Sequence, residues 1–222
     1  MKVRDRMTPN PYTTTPDSSV GDAWRLMTAH NLTRLPVLDR EKLLGIVTKK
    51  DFGARSDLDF RGTSIATRYF TSEQDKLLNK VKVRDLMPAD QSLVTIGPDA
   101  FIEQAAVLLR DNKISGLPVV DEKGKLVGIL TQTDIFGAFL DLLAINRKGS
   151  RINLRVKDSP DNLVKIGKIL CKYNIEILNL VTMEITGEDH LMILRVNTID
   201  SKPIVSDFKA AGFKIESVTV KQ

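Results

Sequence analysis

Cysteine and histidine are almost missing from this 222-residue chain, which has one of the first, Cys171, and two of the second, His30 and His190. A single cysteine rules out an internal disulfide. Two histidines far apart, with no Cys or His at ligand spacing, argue against a zinc site. Cys171 stands among Ile169, Leu170 and Tyr173, a setting that predicts a small buried apolar role for it. Aromatic residues make up only 5% of the chain, with one tryptophan. No apolar run approaches the ~20 residues that a membrane-spanning helix needs, and the opening MKVRDRMTPN lacks the apolar segment of a secretory signal. A cytoplasmic location with no membrane partner is expected.

A concentrated excess of either charge is also missing. The net charge is +5 and the pI about 9.3, but from residue 151 onward eleven Lys/Arg face nine Asp/Glu, so the excess is spread along the chain. Without a basic stripe or a nucleic-acid-binding motif, a solvated surface is the expectation, with nucleic acid not a partner. Hydrophobic content of 42% with 27% charged residues fits a globular chain long enough to bury one or two cores.

What the chain does contain is a repeat. Leu43 to Asp51, LLGIVTKKD, returns as Leu126 to Asp134, LVGILTQTD. Each copy reads as a short buried strand ending in a Thr, with an Asp three positions later. A lone Thr-x-x-Asp is equally a helix N-cap with an acidic first turn. Here it recurs in register with Val3-Arg4-Asp5 against Val83-Arg84-Asp85 (extending to Met7 and Met87, then Pro88) and with Leu35-Pro36-Val37 against Leu117-Pro118-Val119, at offsets of 80, 82 and 83 residues. Repeats of this length are duplicated subdomains rather than solenoid units.

Each copy reads as β-α-β-β-α. Pro9, Pro11 and Pro16 keep the first stretch extended, and a helix is expected after Thr15 with Val20, Ala23, Trp24 and Met27 on its core face. Ile102, Ala105 and Leu109 repeat that stripe in the second copy. Arg55 to Lys80 is polar and reads as a linker with a mobile loop and a helix near Ser72 to Asn79, a functional lid being the other possibility. Ile135, Phe136, Phe139, Leu140, Leu142 and Leu143 make a helix apolar around most of its circumference, which must face either a second subunit or a core within the chain. Asn146 to Ser150 is a polar boundary. Beyond it a strand (Arg151 to Val156), a helix from Ser159-Pro160 with Leu163, Ile166, Leu170 and Tyr173 on one face, two strands joined at Thr186 to Asp189, a helix from Lys202 capped by Gly212 and a last strand make βαββαβ, a ferredoxin-like unit. The domains expected are 1–80, 81–147 and 150–222, in a mixed α/β chain.

On these signatures residues 3–144 resemble a tandem pair of CBS domains. Residues 151–222 resemble an ACT domain, with Asp158-Ser159-Pro160 where that family has Asp-x-Pro-Gly. The domain order is similar to that of the bacterial acetoin utilisation protein B type, which suggests a link to acetoin or acetate metabolism. The CBS resemblance implies a regulatory adenine nucleotide (AMP, ADP or ATP), not a cofactor, held where the Thr-x-x-Asp of one copy meets the residues before Leu-Pro-Val of the other. Carried over, one site uses Ile129, Thr131, Thr133 and Asp134 with Tyr12, Thr33 and Arg34. The other uses Ile46, Thr48, Lys50 and Asp51 with Val94, Ile114, Ser115 and Gly116. Ile46 and Ile129 would flank the base, each Asp would accept from ribose hydroxyls, and free backbone N–H groups at each helix start would suit phosphate. The sites differ in charge, because the counterpart of Arg34 is Gly116 and that of Lys50 is Thr133. The ACT resemblance implies a homodimer and sometimes a small bound amino acid, but Asp161 replaces the glycine of that loop and makes dimerisation the better expectation.

No nucleophile, base and orienting group recur together, and no Walker loop precedes a helix, so an enzyme is not expected. A regulatory module acting on an unidentified protein leads, with a purely structural dimerisation protein, or an amino-acid sensor acting through the ACT-like unit, as the alternatives.

Overall fold

The computed structural model of this chain describes residues 1–54, 76, 78–87, 93–187 and 189–222. The loop expected at 55–71, most of the helix expected near Ser72 to Asn79, and Pro88 lie outside them. The described residues form two compact units, 1–135 and 136–222.

The first unit contains both copies. A short strand β1 (Thr8–Pro9) precedes α1 (Val20–Ala29), β2 (Arg34–Asp39), β3 (Lys42–Thr48) and α2 (Lys49–Ala54). The second copy gives α3 (Ile102–Asp111), β4 (Gly116–Val120), β5 (Leu126–Thr131) and α4 (Gln132–Leu142). Helix α1 starts at Val20, later than expected after Thr15, because Thr15 and Ser18 close a turn of their own through a hydroxyl pair at 2.8 Å. Ser19 is then the cap, accepting from the Asp22 N–H at 3.0 Å. Val20, Ala23 and Met27 are buried with Leu35, Val37, Val47, Phe52 and Leu78. Ile102, Ala105 and Leu109 are buried in the same pattern.

The two hairpins match in detail. Arg34 pairs with Thr48 and Pro36 with Ile46, with an irregularity between Val37 and Leu38. Gly116 pairs with Thr131 and Pro118 with Ile129, with the same irregularity between Val119 and Val120. Lys42 bridges to Lys125, its own counterpart, as a twofold axis running between the copies requires.

The leading segments are exchanged. Val3 and Arg4 donate their N–H groups to Ala100 O and Pro98 O, both at 2.9 Å, while Val83 and Arg84 donate to Ser18 O and Pro16 O, both at 3.0 Å. Arg4 pairs with Asp99 and Arg84 with Asp17. The repeated Val-Arg-Asp is therefore an interlock, each copy's start seated on the helix approach of the other, with Val3 and Val83 fully buried. Strand β1 continues the exchange, Thr8 pairing with Ile129 and Pro9 with Gly128.

In the second unit β6 (Gly149–Lys157), α5 (Asp161–Lys172), β7 (Ile177–Thr186), β8 (Asp189–Val196), α6 (Lys202–Ala210) and β9 (Lys214–Lys221) follow one another. The antiparallel sheet has the order β7-β8-β6-β9, the ferredoxin-like arrangement. Ile152, Leu154, Val156, Ile166, Leu170, Leu194, Ile204 and Phe208 form its core. Two expectations on α5 change. Leu163 is 56% exposed, and Cys171 is exposed, since one residue beyond buried Leu170 turns about 100° away from the core stripe. Gly149 enters β6 at φ 142°, where a Cβ would lie 2.0 Å from Val196 O. In α4, Ile135 and Ala138 are buried, while Phe136 is 67% exposed and Leu140, Leu142 and Leu143 are also exposed in the single chain. No helix among the described residues is long and apolar enough to cross a membrane.

Candidate functional site

Each Thr-x-x-Asp closes as a small ring. Asp51 Oδ2 accepts from the Thr48 N–H at 2.6 Å and from Thr48 Oγ1 at 2.8 Å. Asp134 Oδ2 accepts from the Thr131 N–H and from Thr131 Oγ1, both at 2.7 Å. The next backbone N–H groups are also engaged, Lys49 donating to Thr33 O at 3.0 Å and Gln132 to Ser115 O at 3.3 Å. The expectation of free donors is narrowed: the N–H groups of Thr48, Lys49, Thr131 and Gln132 are taken by the motif's own carboxylate and by the carbonyls of Thr33 and Ser115, just before the neighbouring hairpin strands. In both rings Oδ1 makes no hydrogen bond among the described residues, which leaves it to accept from a ligand hydroxyl.

The residues expected in separate sites partly converge. Thr33 and Arg34 line one open cavity of about 460 Å³ together with Ile46, Thr48, Lys49, Lys50, Lys113, Ile114, Ser115 and Gly116. Arg34 was expected with Asp134, whose charge it feels; as the cross-strand partner of Thr48 it also lines the Thr48 cavity. Its guanidinium then runs across Gly116 and donates to Ser115 Oγ at 3.0 Å. Burial pushes the Arg34 guanidinium down from its ordinary value, and the Asp134 charge pulls it back up. Arg34 thus belongs to the Thr48 cavity while feeling the carboxylate of the other motif.

Other expected residues fall differently. Ile129 is buried (8% exposed) and pairs with Thr8 of β1, whereas half-buried Ile46 lines the cavity. Tyr12 stacks on His30 with ring centroids 4.0 Å apart. Val94 is half-buried and outside the cavity lining, Thr133 is exposed, and Asp51 is outside the lining but hydrogen-bonded to Thr48, which is in it. Lys49 and Lys113 were missed by sequence reasoning. The signal for Lys113 was its place three residues before Gly116, matching Asn31 three before Arg34.

A second cavity, of about 520 Å³, lies in the other unit beside the β6–α5 loop and is lined by Arg155, Lys157, Ser159, Asn162, Lys165, Asp189 and Lys214 among others. No group of three or more His, Cys, Asp or Glu side chains among the described residues is placed to hold a metal ion.

The CBS domain family model matches residues 3–52 and 83–141. A CBS domain-containing protein of Dictyostelium discoideum is 31% identical over 144 residues, spanning 64% of this chain and 92% of that one. This chain belongs to the CBS-domain family. An inosine-5'-monophosphate dehydrogenase of Korarchaeum cryptofilum is 32% identical over 161 residues, 72% of this chain, but the chain spans only 29% of that enzyme's length. Among solved structures, CBSX2 in complex with AMP is 37% identical, with 66% of this chain and 98% of that one covered at a TM-score of 0.49. CBSX2 is a chloroplastic protein of Arabidopsis thaliana. A candidate acetoin utilization protein (AcuB) from Vibrio cholerae is 29% identical, with 66% and 95% covered at a TM-score of 0.50.

Proposed function

We propose that this chain is a non-catalytic regulatory protein that binds an adenine nucleotide in the Thr48 cavity between its two CBS copies. The observation that carries the reading is the joining of Ile46, Thr48 and cationic side chains around one cavity of about 460 Å³, the size range of a small-molecule site, with Asp51 hydrogen-bonded to Thr48 at its edge. Ile46 offers an apolar wall to a base and Asp51 Oδ1 an acceptor to a ribose hydroxyl, while the cations face phosphate. Both copies contribute walls, so a ligand here favours one packing of the copies over another, which is what a sensor requires. AMP is the ligand in the structure of CBSX2, whose sequence is 34% identical to this one over 154 residues.

The ferredoxin-like unit is read as an ACT-type domain, and the chain as a cytoplasmic homodimer. The exposed Phe136, Leu140, Leu142 and Leu143 support a second copy as a partner for α4. A role in acetoin or acetate metabolism is part of the proposal, supported by likeness to the Vibrio protein. A second reading, sensing of a small charged metabolite by the ACT-type unit, is favoured by its cavity of about 520 Å³. Thermal unfolding with AMP, ADP, ATP and a panel of amino acids separates these. A rise with an adenine nucleotide that vanishes in Asp51→Ala supports the CBS reading. A rise with an amino acid alone moves the sensor to the second unit, and no rise at millimolar ligand leaves a structural dimerisation protein.

A further inference from the structure

The Thr48 cavity carries an excess of unpaired positive charge that a single phosphate does not use. Arg34, Lys49, Lys50 and Lys113 all line it, and no carboxylate is among its lining residues. None of the three lysines makes an ion pair or a side-chain hydrogen bond among the described residues. The counterparts of these four cations in the other copy are Gly116, Gln132, Thr133 and Asn31, none of them charged. The concentration of charge is thus a property of one site, and the fold does not demand it.

Lys113 supplies a second, independent observation. It sits at φ 54°, in the left-handed region, at the same point after a helix where its counterpart Asn31 sits at φ 51°. Asparagine adopts that conformation more readily than lysine, so the turn itself does not favour a lysine there. The backbone N–H groups of Thr48 and Lys49 are already engaged and do not replace it.

From this geometry we infer that the Thr48 cavity selects a nucleoside polyphosphate over a nucleoside monophosphate, with Arg34, Lys49, Lys50 and Lys113 as the residues that read the phosphate chain. The inference rests on the nucleotide reading above and narrows its ligand class. A terminal phosphate adds negative charge and acceptor oxygens to cations whose charge-assisted hydrogen bonds are the strong kind.

Calorimetric titration of the full chain with adenosine, AMP, ADP and ATP, without magnesium and at two salt concentrations, tests it beside Lys49→Gln, Lys50→Thr and Lys113→Asn, each taken from the other copy. The expected result is affinity rising from adenosine through AMP to ATP, with ATP at least about tenfold tighter than AMP, as one good charge-assisted bond provides. The advantage of ATP should shrink with salt and with each substitution. Lys113→Asn should do so without lowering the unfolding temperature of the free protein, since it relieves the strained backbone. Equal affinity for AMP and ATP, or substitutions that weaken adenosine as much as ATP, would overturn the selectivity while leaving nucleotide binding standing. Failure of every nucleotide and of adenosine to bind would remove the underlying reading as well.

Discussion

The Arg34 side chain lies across Gly116, its own counterpart in the second copy. A Cβ at position 116 would come within 2.7 Å of Arg34 Cδ and 2.9 Å of its Nε and Nη1. Two residues equivalent by sequence therefore meet and divide the space between them. One supplies a long cation and the other its room, so duplicated hairpins produce an unequal pair of sites.

Gly116→Ala displaces Arg34 and leaves the backbone untouched, because the atoms it meets are the far end of a flexible chain. Stability should change by less than about 1 kcal/mol, while nucleotide affinity falls severalfold as the Ser115 hydrogen bond is lost. If Arg34 is the mediator, the double variant Arg34→Ala/Gly116→Ala binds no more weakly than Arg34→Ala alone. Additive losses in a titration of all four proteins would place the glycine's effect elsewhere.

The two carboxylate rings are alike in geometry, at 2.6–2.8 Å in both copies. Asp51→Ala and Asp134→Ala should each lower stability in urea unfolding by about 1 kcal/mol, the scale of a lost cap. A cost confined to one of them would show that the rings do unequal structural work.

The interlock should owe its strength to apolar burial. Val83→Ala removes two methyl groups from a fully buried position and is expected to cost about 2 kcal/mol. Arg84→Ala breaks a pair whose side chains are 56% and 69% exposed and should cost about 0–1 kcal/mol. The reverse ranking in urea unfolding would make the ion pair the clamp.

In the second unit Asp207 accepts from Lys172 Nζ at 2.8 Å and from the Tyr173 hydroxyl at 3.0 Å. The Lys172 hydrogen bond first, then that of Tyr173, hold its carboxyl below the ordinary 3.8. A lowered folded-state value contributes stability above the ordinary one, and that contribution is lost as pH falls through the folded value. Hydrogen exchange of α5 and α6 amides at pH 6 and below pH 4 should show acid loosening that Asp207→Asn flattens. An unchanged acid response in the variant would assign the dependence to other carboxylates.

Much of this architecture was legible because the repeat supplied its own check. Val20, Ala23 and Met27 against Ile102, Ala105 and Leu109 located two cores, and the βαββαβ order was readable from the strand and helix signals after Asn146. The placement of Arg34 was not, although the hairpin that pairs it with Thr48 can be counted from the turn at Arg40. Sequence alone grouped Arg34 with Asp134, whose charge it does feel, and gave no sign that register also puts it in the Thr48 cavity. The engagement of the Thr48 and Lys49 N–H groups was invisible too, since Thr-x-x-Asp describes a carboxylate three residues away without saying which donors it takes. Val3-Arg4-Asp5 read as a signature, and its exchange onto Pro98 and Ala100 needed three dimensions.

The most direct test of the account is the number of nucleotides bound and the motif that binds them. Titration of ATP into the wild-type chain, Asp51→Ala and Asp134→Ala should give one tight site per chain, lost in Asp51→Ala and retained in Asp134→Ala. Two equal sites, or tight binding lost only in Asp134→Ala, would contradict the assignment of the nucleotide to the Thr48 cavity.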